Sequence, residues 1–343
     1  MSSVDSASEI QIQKLLSAVA EYKATDLHLS VGSTPVLRMG GKLVPLTSEP
    51  LLTSEFIQTV ASLMLTPELN AKLQEQKSIL FIYYSKSKAR YKVHMYFQGG
   101  FISISLRLIP SLATPINGLE LPQEVKNLVQ VESGMIIVCG PYGSGKSTIL
   151  AGFIEYYNQN LGKHIVTFEK PVEFLINDSK SIVEQREIGK DINSINQISE
   201  FVSTEDVDIV LLADLFNHET MQVAFDAARM GKLVLVEANT DSIRDTLESI
   251  IGMYKIDEQP AIIATMVKSL KAIVALESLP NTSGSVSIAA EVLVMTPSVQ
   301  GLLQQGALEK VDMIIEGGRN EGMISIKEAK EAMAQAGIIN LRM

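Results

Sequence analysis

The chain has 343 residues, 46% hydrophobic and 20% charged, a length for two domains of ~100–200 residues and a composition that excludes extended disorder and fibrous repeats. One cysteine, Cys139, excludes a disulfide framework and a multi-cysteine metal site, and suits a reducing compartment. The net charge of −10 is uneven: residues 1–112 hold 11 Lys and Arg against 8 Asp and Glu, the remainder 18 against 31, so no nucleic-acid partner is expected of the acidic second half.

In chain order, Ile12, Leu15, Leu16, Val19 and Tyr22 fall at helical spacing and predict an amphipathic first helix. Asp26-Leu27-His28-Leu29 alternates as a half-buried strand does, and Val36–Met39 and Leu43–Leu46 flank the hairpin signal Gly40-Gly41-Lys42. Thr53 to Leu65 is helical in pattern, with Thr53 as N-cap. Ile79–Tyr84, Arg90–Phe97 and Phe101–Ile109 read as a strand meander around Gly99-Gly100. Lys86, Lys88, Arg90 and Lys92 alternate along it and are read as a solvated strand face. Residues 1–110 are thus expected to be an α+β domain with an antiparallel sheet.

Pro110 to Pro115 reads as a linker, set here at 111–117, because each proline removes an amide donor and stops a helix. From 118 to 343 the pattern changes. Short apolar runs (Met135–Val138, His164–Phe168, Ile209–Leu212, Leu233–Val236) alternate with helical segments, as buried parallel strands do, so the second domain is expected to be α/β. No internal repeat is present. No apolar stretch approaches the ~20 residues of a membrane span, and Met1 to Ser8 carries no signal-peptide core, so a soluble intracellular protein is expected.

The strongest signal is Gly140-Pro141-Tyr142-Gly143-Ser144-Gly145-Lys146-Ser147, a full match to G-x-x-x-x-G-K-[ST] between an apolar strand and a helix running to about Asn158. The glycines let backbone amides converge on phosphate oxygens, and the helix N-terminus adds partial positive charge. Lys146 is expected on the β- and γ-phosphates and the Ser147 hydroxyl on Mg²⁺; with Thr148 in the same turn, residues 140–148 form the expected ATP-binding stretch. Hydrolysis also needs a carboxylate at the end of a neighbouring strand. Asp214, after Ile209–Ala213, and Glu169, after His164–Phe168, are the candidates, expected to converge on Lys146, with Asp214 also a metal ligand; a helix cap or a solvated loop acid is the competing reading of each. Asp208 sits at the opposite strand end and reads as a surface or cap residue. His28, His94 and His164 read as structural and His218 as a surface-loop residue. Ser325-Ile326-Lys327-Glu328 is a capping box opening a helix that stops near Gly337, with Ile326, Ala329 and Met333 docked on the subunit.

Several blocks together resemble the type IV pilus retraction ATPases (PilT-like) of the secretion-ATPase superfamily: Thr25 to Ser30 with Pro35 to Gly41, the phosphate loop, His164 to Phe174, Gln185-Arg186-Glu187, residues 209–214, and Glu291 to Pro297. The resemblance covers nearly the whole chain. It implies a PAS-like N-terminal domain and a RecA-like ATPase domain with a mainly parallel sheet. It further implies a hexameric ring, homo-hexameric or mixed with a paralogous ATPase, below an inner-membrane pilus platform protein on the cytoplasmic side. ATP would bind between the two domains, arginines of the N-terminal domain would contact phosphate, and turning of the ring would drive pilus retraction and twitching motility. Arg107 matches one such arginine, whereas the other falls on Gly100.

Other positions depart from the family pattern. Lys170 stands for the central acid of Glu-Asp-Pro-[Ile/Val]-Glu, and Asp214 for the Walker B glutamate. Gly231 to Thr240 lacks both histidines of the family's box, with Lys232 and Asn239 in their places, and Ser298 to Gln304 lacks both arginines of a family helix. The resemblance also implies a longer C-terminal region in the family than here. Losing one group that stabilises a transition state typically costs ~10²–10³ in rate. The expectation is therefore a weak ATPase working beside a fully equipped paralogue; the alternative is a non-hydrolysing structural or regulatory nucleotide-binding ring protein.

Overall fold

The computed structural model describes residues 3–109, 112–283 and 285–340, and its internal contacts divide the chain between residues 111 and 112 into two units. Met1, Ser2 and two residues of the expected connecting segment, Pro110 and Ser111, lie outside the described residues.

In the first unit α1 (Ser3–Glu21) buries Ile12, Leu15, Leu16 and Val19 of the expected stripe, whereas Tyr22 lies just past the helix end and is exposed. It leads into β1 (Asp26–Leu29) and the hairpin of β2 (Val36–Met39) and β3 (Lys42–Pro45). Thr53 caps α2 (Ser54–Met64) by accepting from the Phe56 amide. Next comes α3 (Pro67–Gln76), which the apolar pattern did not foretell: Leu73 is its one buried residue, so there is no stripe to see. The meander follows as β4 (Ser78–Tyr84), β5 (Arg90–Gln98) and β6 (Phe101–Ile109). All six strands pair antiparallel in the order β3-β2-β1-β6-β5-β4. Tyr91, Val93 and Met95 of β5 share one face and the core with α1 and α2, and the Tyr91 hydroxyl donates to the Leu16 carbonyl at 2.9 Å. The basic run needs a correction. Lys86 and Lys88 are exposed near the turn, but Arg90 is only 7% exposed and lies over the Tyr84 ring, so the run is not one solvated face.

The second unit opens with residues 112–118, where Ile116 is fully buried against the unit's own core. In order come α4 (Gln123–Asn127), β7 (Gly134–Cys139), α5 (Lys146–Asn160), β8 (His164–Glu169), β9 (Ile182–Glu187), α6 (Ile195–Thr204), β10 (Ile209–Leu212), α7 (His218–Arg229) and β11 (Leu233–Ala238). Then follow α8 (Ile243–Gly252), α9 (Gln259–Ser269), β12 (Leu270–Pro280), β13 (Val286–Val294), α10 (Pro297–Gln304), α11 (Val311–Gly317) and α12 (Ile326–Gln335). The sheet runs β13-β12-β7-β11-β10-β8-β9 and is parallel except for β13.

Both sheet faces are covered, which is why β7, β10 and β11 are buried along their whole length. One face packs Ile136, Val138, Leu211 and Leu235 on Ile149, Leu150 and Phe153 of α5. The other packs Ile137, Val210 and Val236 against Met221, Phe225, Leu247 and Met266 of the helices opposite. Register fixes what meets at the C-terminal edge. Phe168, Leu212, Val236 and Ile137 lie side by side, so one residue on Glu169, Ala213, Glu237 and Val138 form the next row. The expected capping box at Ser325 is present with both bonds, and Ile326, Ala329 and Met333 pack into the α5-side core. Among the described residues no helix is long and apolar enough to cross a membrane.

Candidate functional site

The loop between β7 and α5 sits at the C-terminal edge of the parallel strands, where open α/β sheets place their ligands. Two of its glycines are required by close approach as well as by φ. A Cβ on Gly140 (φ +149) would stand 2.5 Å from Ser144 Oγ and 2.7 Å from the Leu276 carbonyl, and one on Gly145 (φ +96) would run into Ile288 Cδ1. Gly145 is also the N-cap of α5 and brings no capping side chain, so the first-turn amides of Ser147 and Thr148 have neither an intrahelical acceptor nor a capping oxygen from the N-cap. The buried Ser144 hydroxyl finds no partner among the described residues. A concave backbone with spare donors at a 15-residue helix fits a phosphate chain. Pro141, Tyr142 and Gly143 form its exposed rim.

Lys146 is 5% exposed; its ammonium donates to the carbonyls of Gly140 (2.8 Å) and Pro141 (3.2 Å). Its ion-pair partner is Glu237, at 3.8 Å. The two acids expected at this lysine, Glu169 and Asp214, stand at the same C-terminal edge of the sheet. Glu169 ends β8 and is buried in the same row as Glu237, with Ala213, the residue just after β10, between them. Burial pushes its carboxyl above the ordinary range, opposed by bonds from Thr167 Oγ1 (2.6 Å) and Gln185 Nε2 (3.2 Å). Gln185 is itself held, donating to the Phe174 carbonyl and accepting from the Ile176 amide, so it fixes the orientation of Glu169. Asp214 follows β10 in a left-handed conformation (φ +59) and is exposed, accepting from Asn239 Nδ2 at 3.3 Å.

Ser147 and Thr148 are half-buried in the first turn of α5. Among the described residues no group of three or more His, Cys, Asp or Glu is placed to hold a metal by itself; Mg²⁺ commonly needs only one or two protein ligands beside substrate phosphates, which Ser147 and Asp214 could supply. Cys139 ends β7 beneath the loop, and burial pushes its thiol up to about 11. Arg107 belongs to the first unit, where its guanidinium donates to Asp26 at 2.8 Å. Lys232 precedes β11 at the opposite sheet edge and donates to the Val207 carbonyl, so its exchange for histidine does not fall on the phosphate loop. Asp208 ties Lys163 and the His164 amide at that same edge, and His218 opens α7 against Tyr254. The residue missed was Glu237. Its signal was an acid closing the apolar run from Leu233, at the parity that faces α5.

The chain belongs to the type II/IV secretion system protein family, whose model matches residues 3–283. It is 27% identical over 331 residues to the type IV pilus retraction ATPase PilT of Pseudomonas aeruginosa, covering 96% of each chain. To the type IV pilus ATPase PilU of the same organism it is 28% identical over 321 residues, covering 93% of this chain and 84% of that one. Among solved structures, the pilus retraction motor PilT with bound ADP superposes with a TM-score of 0.76 at 28% identity, covering 94% of this chain and 96% of that chain. The ATPase DotB of Legionella pneumophila shares the fold, with a TM-score of 0.82 at 20% identity over 97% of this chain and 94% of that one. The chain is PilT-like.

Proposed function

We propose that this protein is an ATP-binding, weakly hydrolysing motor subunit of a type IV pilus system, acting in retraction beside a more active paralogue. The observation that carries the reading is the loop from Gly140 to Ser147, which joins a buried parallel strand to an α5 N-terminus without a capping side chain and holds a buried Ser144 hydroxyl with no hydrogen-bond partner among the described residues. Nucleotide binding is also what the ADP-bound PilT structure carries at 28% identity.

In this reading the loop amides and Lys146 bind the phosphates. Thr167 and Gln185 hold Glu169 in place, and its raised carboxyl is suited to orient water and accept its proton. Mg²⁺, held by Ser147 and Asp214 with the phosphates, would neutralise charge on the triphosphate. Arg107 would add charge from the first unit once freed from Asp26. The ring, of one chain type or two, the platform protein and the cytoplasmic face of the inner membrane complete the proposal. The division into a PAS-like domain at 1–110, a linker at 111–117 and a RecA-like domain at 118–343 belongs to it too.

The steady-state ATPase rate of the purified full chain tests it. Turnover well below ~1 per second, with clear ATP binding, is expected; tens per second, the range of competent phosphoryl-transfer enzymes, would contradict weak activity. A second reading, a ring protein that binds ATP without hydrolysing it, draws on the engagement of Lys146 by Glu237 and of Asp214 by Asn239. No turnover above background at saturating Mg-ATP selects it.

A further inference from the structure

Glu237 forms an ion pair with the phosphate-loop lysine, and nothing in the proposed reaction uses it. Its position follows from the sheet. β11 lies directly beside β7, and odd-numbered residues of β11 face α5, so the last odd residue before the strand ends points to where α5 begins. The partners are buried, with side chains 5% and 8% exposed, so the interaction is poorly screened by water. With the Gly140 and Pro141 carbonyls it holds the ammonium inside the loop, against the protein's own acceptors.

Resting on the nucleotide-binding reading, we propose that Glu237 is the resting counter-ion of Lys146 and competes with phosphate for it. Nucleotide binding is then an exchange, in which the ammonium leaves one anion for another. Glu237 stays behind as a buried carboxylate close to the incoming phosphates, with Glu169 in the same row two strands away, about 10 Å between Cα atoms by sheet spacing. Like charges so placed disfavour the bound state, and a divalent cation carried by the nucleotide offsets them. Glu237 thus weakens nucleotide binding and makes it depend on the cation, and it acts through Lys146 as a positioning residue.

The test is direct binding of ADP and of a non-hydrolysable ATP analogue to the full chain by calorimetry, in EDTA and in Mg²⁺. Glu237→Gln keeps shape and removes charge; it is expected to tighten binding about tenfold in EDTA and less in Mg²⁺. Glu237→Thr, smaller and also uncharged, should tighten it in the same direction and serves if the amide variant fails to fold. A purely structural role would lower the melting temperature without improving affinity. Unchanged or weaker binding by the folded variants in EDTA overturns the proposal. In nucleotide-free protein, Lys146→Ala should lower the melting temperature more in the parent than in the Glu237→Gln background, and equal shifts would likewise overturn it. Parent protein that binds no nucleotide even with Mg²⁺ would fail the nucleotide-binding reading itself, a result distinguishable from the variants' failure to respond.

Discussion

Glu169 is kept from water while receiving two side-chain hydrogen bonds, and burial outweighs them, so its carboxyl titrates above the ordinary value of 4.5. A raised folded-state pKa gives a contribution to stability that is full below the ordinary value and lost as pH rises through the folded one. Glu169→Gln cannot ionise. Its stability relative to the parent should therefore climb as pH increases from about 4.5 toward neutrality, read as the difference in melting temperature across a pH series. A difference flat with pH would contradict the burial argument. At Lys146, truncation to alanine removes the buried cation that the phosphates need. ADP affinity should fall by at least ~100-fold in a calorimetric titration, as expected when a charge-assisted contact to phosphate is lost.

At the scale of elements, the phosphate loop tolerates little. Gly145→Ala meets both a left-handed backbone and the Ile288 side chain, and should cost about 1–3 kcal/mol in urea unfolding while abolishing nucleotide binding. Pairing it with Ile288→Val, which removes the obstructing methyl, should recover part of the stability but not the backbone strain. In the first unit Thr53→Ala removes the cap of α2 at about 1 kcal/mol. These elements also show what a linear reading can reach. The strands β7, β8, β10 and β11 were legible as apolar runs and α2 from Thr53 and its stripe, because those signals are local. The helix α3 went unseen with one buried residue, although Thr66 and Pro67 are a good start signal. The edge strand β9 went unseen because Ile182–Glu187 is largely polar and no more than half-buried. The phosphate loop was readable because eight contiguous residues define it. The pairing of Lys146 with Glu237 was not, since it depends on β11 lying next to β7, which only the folded sheet reveals.

For the whole molecule, the uneven charge bears on partners. The acidic second unit should show no salt-sensitive affinity for single-stranded DNA, measured by fluorescence anisotropy. The proposed ring predicts a mass of six chains in Mg-ATP by sedimentation, and a chain that stays single in every nucleotide state would argue against it. One more property lies in how the phosphate loop is braced. Gly140 abuts the Leu276 carbonyl of β12 and Gly145 abuts Ile288 of β13, while Glu291 of β13 accepts from the Ile326 amide that begins α12. A shift in that short turn would therefore press first on the β12–β13 hairpin, the part of the sheet to which the start of α12 is bonded.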